Sequence, residues 1–176
     1  MKKRIADYEF VKQNFVYDPE SGLFTWSENC KSKWCRGKPA GSVSKAHGYI
    51  TLWVNGGNYY AHVIAWLYMT GKMPEGDIDH ADGDRANNKF SNLREASRSQ
   101  NMANLKLNSK NSSGYKGVHY VARVNKWVAS IGDGGRNCHL GYFKTKEAAA
   151  SAYNDEAIKR FGEFANLNNI PHVTLK

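Results

Sequence analysis

Apolar and polar residues change their spacing several times along this chain, and each change marks an element. Tyr8, Val11 and Phe15, with Phe10 less cleanly, fall at helical intervals and predict a short amphipathic helix over residues 7–15. Asp18-Pro19-Glu20-Ser21-Gly22 is turn chemistry, leading into a strand over residues 23–26. Residues 48–54 and 58–61 read as a hairpin around Asn55-Gly56-Gly57, with Ile50 and Leu52 alternating against Thr51 and Trp53. A compact apolar helix follows over residues 62–70, closed by Gly71. Ile78 and Leu93 flank a polar loop and predict two short strands. Ser97 with Gln100 three positions on forms a capping box, so a helix begins there. Residues 105–113 are Asn/Ser/Lys-rich without periodicity and read as a linker. Beyond it lie three strands, over about 117–121, 126–131 and 137–143, and a helix capped by Thr145 that runs to Phe161 and ends at Gly162. Ala149, Tyr153, Ala157 and Phe161 give that helix a sheet-facing stripe. Strand alternation then turns Val118, Tyr120, Trp127, Ala129, Ile131, Leu140 and Tyr142 toward the helix, and His119, Val121, Val128, Ser130, Asn137 and His139 away from it.

Charge changes the picture more than composition does. A hydrophobic share of 41% suffices for compact cores, and 176 residues allow one domain or two small ones. A net charge of +9 favours a polyanion, nucleic acid before anionic membrane. After position 105 the chain carries 11 basic and 5 acidic residues, a net of +6. No apolar run reaches the roughly 20 residues that span a bilayer. Lys2-Lys3-Arg4 has no apolar stretch behind it, so no secretory signal is expected. Cys30 and Cys35 are close, but with Cys138 distant no second Cys/His pair completes a zinc site, and reduced thiols of a cytoplasmic, unsecreted protein are the expectation. The run from Lys31 through Lys33, Trp34 and Arg36 to Lys38 is either a phosphate-touching loop or a solvated one around a packed Trp. Lys106 and Lys110 could let the linker follow a DNA groove; a passive spacer is the other reading.

The candidate chemistry sits between Asp79 and Asn101. Asp79 and His80 are adjacent, so a strand points them to opposite sides. The oxygens of Asp79 and Asn101 suit a hard divalent ion such as Mg2+, and His80 could take a proton from water. Asp82-Gly83-Asp84 invites a calcium-loop reading, but Lys89 stands where an EF-hand needs its Glu.

This stretch resembles the ββα-metal motif of the phage-type HNH homing endonucleases, with 12 positions from His80 to Asn92 and 22 from Asp79 to Asn101. The resemblance implies that His80 is the general base, that Asp79 and Asn101 hold the metal (Mg2+, with Mn2+ able to substitute), and that Asn92 ties the loop and orients His80. Asn101 replaces the His found in many members, which argues for one weakly held ion. His62 resembles a recurrent His of that class, but a lone His beside an apolar helix is more often structural.

Residues 114–168 resemble the AP2 DNA-binding domain through Tyr115-Lys116-Gly117-Val118, Trp127-Val128-Ala129-Ser130-Ile131, Leu140-Gly141-Tyr142-Phe143, Ala148-Ala149-Ala150-Ser151-Ala152-Tyr153 and Leu167-Asn168. The family's DNA-facing positions fall on Lys116, His119, Ser130, Asn137 and His139, flanked by Arg123, Lys126 and Arg136. Plant regulators carry several arginines at those positions and this chain does not, so their sequence preference does not transfer. The expectation is an α+β protein in two parts: an HNH nuclease region through residue 105 with its core at about 76–105, a linker over 106–113, and an AP2-like domain over 114–170. It would hydrolyse a phosphodiester of double-stranded DNA, leaving 5′-phosphate and 3′-hydroxyl ends, with no membrane and no stable protein partner. One catalytic unit per chain suits nicking. The rivals are a DNA-binding regulator with an inert HNH scaffold and an RNA-processing enzyme.

Overall fold

The computed structural model describes residues 6–171, which form two compact units, one up to Ala96 and one from Ser97. Lys2-Lys3-Arg4 lies outside the described residues. Among the described residues no helix is long and apolar enough to cross a membrane.

In the first unit, helix α1 (Tyr8–Asn14) is capped by Asp7, whose carboxylate accepts from Phe10 N–H at 3.2 Å. It stops one residue earlier than its apolar spacing predicts. Phe15 instead opens a strand, β1 (Phe15–Asp18), paired antiparallel with β2 (Leu23–Trp26). Phe15 and Tyr17 are buried while Val16 and Asp18 are exposed, so a period of two wins over the helical reading. Two-residue strands β3 (Pro39–Ala40) and β4 (Ser42–Val43) were not foreseen; neither is long enough to show alternation. The hairpin of β5 (Ile50–Val54) and β6 (Gly57–Tyr60) turns at Asn55-Gly56, both with positive φ, the geometry of a two-residue type I′ turn. Helix α2 (Ala61–Thr70) ends at Gly71 in the left-handed region. Strands β7 (Asp77–His80) and β8 (Leu93–Ala96) close the unit as an antiparallel pair with Asp79 opposite Arg94 and His80 opposite Leu93. Phe15, Phe24, Leu52, Ile64, Leu67, Ile78 and Leu93 share one core, so the floor beneath β7 is built from most of the unit's elements.

The second unit opens with α3 (Arg98–Asn104). Ser97 accepts from Gln100 N–H and Gln100 accepts from Ser97 N–H, so the capping box forms in full. No helix or strand spans residues 105–113. Then come β9 (Val118–Val121), β10 (Lys126–Asp133) and β11 (Arg136–Phe143), in the antiparallel order β11-β10-β9, with α4 (Lys146–Phe161) against them. Ala149, Ala150, Tyr153, Ala157 and Phe161 supply α4's buried stripe. A single 3-10 turn (Gly162–Phe164) follows it.

One facing assignment needs correction, and two residues on their expected faces differ in exposure. The register of β10 and β11 shifts between Ala129 and Ser130, beside Gly141 at φ 140°. That bulge reverses the alternation at the end of β11, so Tyr142 pairs with Val128 and is 53% exposed, while Phe143 packs inward. Tyr120 shares Trp127's face, with ring centroids 5.1 Å apart, yet stays 47% exposed. Val128 lies on the outer face as predicted, but between His119 and Tyr142 it is buried rather than open.

Candidate active site

Asp79 and His80 are both buried, at 5% and 4% exposure. The Asp79 carboxylate takes a fork from Arg94, whose Nε and Nη2 lie 3.1 and 3.0 Å from one oxygen, Oδ2. Cross-strand register produces that pairing, and it places a guanidinium beside a buried carboxylate, as burying a charged group requires.

His80 Nε2 lies 3.0 Å from Asn88 Oδ1. Asn92 was expected to orient His80; its side chain serves the loop. Asn92 Oδ1 accepts from Asp82 N–H at 3.0 Å, and its Nδ2 donates to Asp82 Oδ1 and to Asn87 O at 3.0 and 2.8 Å. Burial pushes the Asp82 carboxyl up, but the bonds from Asp84 N–H, Asn87 and Asn92 outweigh it and hold the group below the usual carboxylate range. Asp82 is thus committed to folding the loop, which accounts for the calcium-like pattern without an ion.

An aromatic cluster walls His80. The His62 ring meets it edge-on, centroids 4.9 Å apart at 82°, and stacks on Tyr60 at 5.4 Å and 11°. Tyr49 lies 6.0 Å from His80. Above Tyr49 sits the exposed Arg85, its guanidinium carbon 5.0 Å from the ring and Nη1 donating to His47 O. Burial, then the neighbouring His80, pulls His62 down to about 3, so it is neutral at physiological pH. Its Nδ1 is buried with no hydrogen-bond partner among the described residues. Sequence reasoning missed Arg94, Asn88 and Arg85. Arg94 alone had a signal, its place in the second strand opposite the Asp.

Asn101 is half-buried on α3, in the second unit. Its helix is fastened there by several bonds: Gly134 N–H to Ser99 Oγ at 2.9 Å, Asn166 Nδ2 to Asn104 O at 3.1 Å, and the Lys116 ammonium to the carbonyls of Met102, Ala103 and Leu105. Burial pulls Lys116 down to about 8. Lys116 was expected to face DNA; its ammonium instead caps the last turn of α3. The carboxylate of Asp79 and the amide oxygen of Asn101 are hard oxygen donors that fit Mg2+ or Mn2+ better than a soft metal. Among the described residues no group of three or more His, Cys, Asp and Glu could hold a metal ion.

Of the other predicted contacts, His119, Arg123, Lys126, Arg136, Asn137 and His139 are exposed, and Ser130 is half-buried opposite His139. Lys31, Lys33, Lys38, Lys106 and Lys110 are exposed, and Trp34 is 86% exposed rather than packed. Arg36 folds back, with Nε and Nη2 donating to Cys30 O at 3.2 and 3.1 Å, and so staples its own loop. Cys30, Cys35 and Cys138 form no disulfide among the described residues.

A family profile described as HNH endonuclease matches residues 59–103, the span from β6 to α3. The chain is 35% identical over 149 residues to an uncharacterized HNH endonuclease of Acanthamoeba polyphaga mimivirus, a match covering 84% of this chain and 73% of that protein. The chain belongs to the HNH endonuclease family. Protein 3.8 of Escherichia phage T7 is 30% identical over 105 residues, covering 59% of this HNH chain and 86% of the phage protein. A different kind of relative covers less: APETALA2-like protein 2 of Oryza sativa subsp. indica is 44% identical over 57 residues, which are 32% of the HNH chain and 13% of the rice protein. The HNH match spans β7, β8 and the loop between them, so Asp79, His80, Asn92 and Asn101 all fall within it.

Proposed function

We propose that this HNH protein is a divalent-metal-dependent endonuclease of the homing type that hydrolyses one phosphodiester of double-stranded DNA per catalytic unit. The observation that carries the reading is the buried Asp79–His80 pair on β7, with Asn88 on the imidazole and Arg94 on the carboxylate. His80 takes the proton of the attacking water, and the leaving 3′ oxygen is protonated from solvent. Asp79 and Asn101 would hold the ion, which would supply charge stabilisation at the phosphate and the departing oxygen. Arg85, exposed above Tyr49, suits a phosphate flanking the one that is cut. One nucleophile-activating group per chain supports nicking, with 5′-phosphate and 3′-hydroxyl ends.

The second unit supplies the address in this reading. Its three-stranded sheet on one helix, its net basic charge, and the partial likeness to an APETALA2-like protein support an AP2-like DNA reader. The outer face by register carries His119, Lys126, Ser130, Asn137, His139 and Tyr142, and the exposed Tyr142 replaces Lys116 in the expected set. The partial plant likeness also favours the rival, a DNA-binding regulator with an inert nuclease scaffold.

Incubation with duplex DNA and with RNA, each with Mg2+, with Mn2+ and with excess chelator, separates the readings. The proposal expects DNA strands cut only with metal and RNA left intact. Asp79→Ala and Asn101→Ala should raise the Mg2+ requirement or stop cutting, while chelator leaves DNA binding in place. Binding without any cutting favours the regulator, and full cutting in chelator removes the metal.

A further inference from the structure

We infer that Asn88 is the positioning residue for His80, and that the N-terminal hairpin β1–β2 exists in part to hold Asn88 to that task. The inference rests on the reading of His80 as the base. Asn88 is 1% exposed, the most buried amide in the first unit, so its few bonds define what it does. Its Nδ2 lies 3.4 Å from Ala86 O and its Oδ1 lies 3.0 Å from His80 Nε2. A carbonyl only accepts and an amide nitrogen only donates, so Nδ2 belongs on the Ala86 side and Oδ1 on the imidazole. An acceptor facing Nε2 selects the tautomer with its proton there. In that tautomer the ring's lone pair sits on Nδ1.

The backbone of Asn88 is clamped from the other end of the chain. Tyr17 Oη donates to Asn88 O at 2.6 Å across 71 positions, and Phe90 N–H donates to Pro19 O at 3.0 Å. Gly22, at φ 74°, lies so close that a Cβ there would be 2.4 Å from Asn88 C and from Lys89 N. Tyr17 therefore grips the peptide while the bare turn at Gly22 presses against it. Tyr17, Pro19 and Gly22 all lie ahead of the 59–103 span of the HNH profile, so their side of the clamp is added by the chain ahead of the motif. Burying a phenol and a whole amide to fix one imidazole is a poor use of core unless orientation matters to the reaction.

The test uses the full chain with Mg2+ and a cleavable duplex. Asn88→Ala should lower kcat by roughly 10–100-fold, the scale on which a misplaced reacting group slows catalysis, with KM and DNA affinity within about twofold of the parent. Asn88→Asp keeps an acceptor oxygen and should recover most of kcat, and Tyr17→Phe should lower kcat a few-fold. The ¹⁵N spectrum of His80 should show Nε2 protonated in the parent and a tautomer mixture in Asn88→Ala. A folded Asn88→Ala with parental kcat overturns the inference, as does a parent protonated on Nδ1. Should Asn88→Ala fail to fold, the parent spectrum and Asn88→Asp decide. His80→Ala separates the two levels. Full cutting by that variant removes the base assignment itself. A dead His80→Ala beside a fully active Asn88→Ala removes only the positioning role.

Discussion

His62 is the residue whose environment makes the firmest thermodynamic statement. Its imidazole is buried against Tyr60 and His80 and held near pKa 3, whereas an unfolded chain protonates histidine at about 6.5. The folded state therefore refuses a proton that the unfolded state accepts. The contribution is intact above about pH 6.5 and is lost as pH falls toward 3. Denaturant melts between pH 7 and pH 4 should show the first unit weakening with acid, and His62→Phe should flatten that slope. An unchanged slope in the variant contradicts the assignment. At this scale the pattern Asp79, His80, Asn92 and Asn101 was legible because spacing within one motif is a local property. Asn88 was not. Asn87 and Asn88 are equivalent in the sequence, and which one turns inward is decided by Tyr17 and Gly22, far away along the chain.

Elements followed the sequence wherever a cap or a turn residue fixed them. Ser97 and Gln100, Thr145, Gly71 and Asn55-Gly56 all act as their types predict. Two of the failures share a cause, local pattern overruled by pairing: Phe15 leaves α1 to pair with Trp26, and a bulge beside Gly141 turns Tyr142 outward. Two predictions belong here. Gly22→Ala forces a Cβ into the Asn88 peptide at a left-handed φ, and should cost at least about 2 kcal/mol of stability, read as a lower denaturation midpoint. Lys116→Met removes the donor from three carbonyls at the end of α3, and should destabilise the second unit by about 1–3 kcal/mol. Because that ammonium is turned inward, the salt dependence of DNA binding should keep its slope. A slope smaller by about one would return Lys116 to the phosphate contacts.

For the whole molecule, the proposed function puts chemistry and address in different parts of the chain. Asp79 and His80 belong to the first unit, while the excess of basic residues follows position 105. A chain ending at Asn108 keeps both strands of the pair but strips α3 of Lys116, Gly134 and Asn166. It should bind its target far more weakly, with a flatter salt dependence, and any residual cutting should be slower and less selective. Full affinity and an unchanged cut site would move recognition to the exposed loop around Trp34. That division could be read from composition, but the attachment of α3 to the second unit could not, because its bonds join residues 11 to 62 positions apart through side chains of no fixed role. The central claim is that His80 activates water. It is tested most directly by measuring single-turnover strand cleavage and DNA affinity side by side for the parent and His80→Ala in Mg2+. The account predicts a rate lower by roughly 10²–10⁴-fold, the usual worth of a general base, at unchanged affinity. Cleavage by His80→Ala within about threefold of the parent would contradict it.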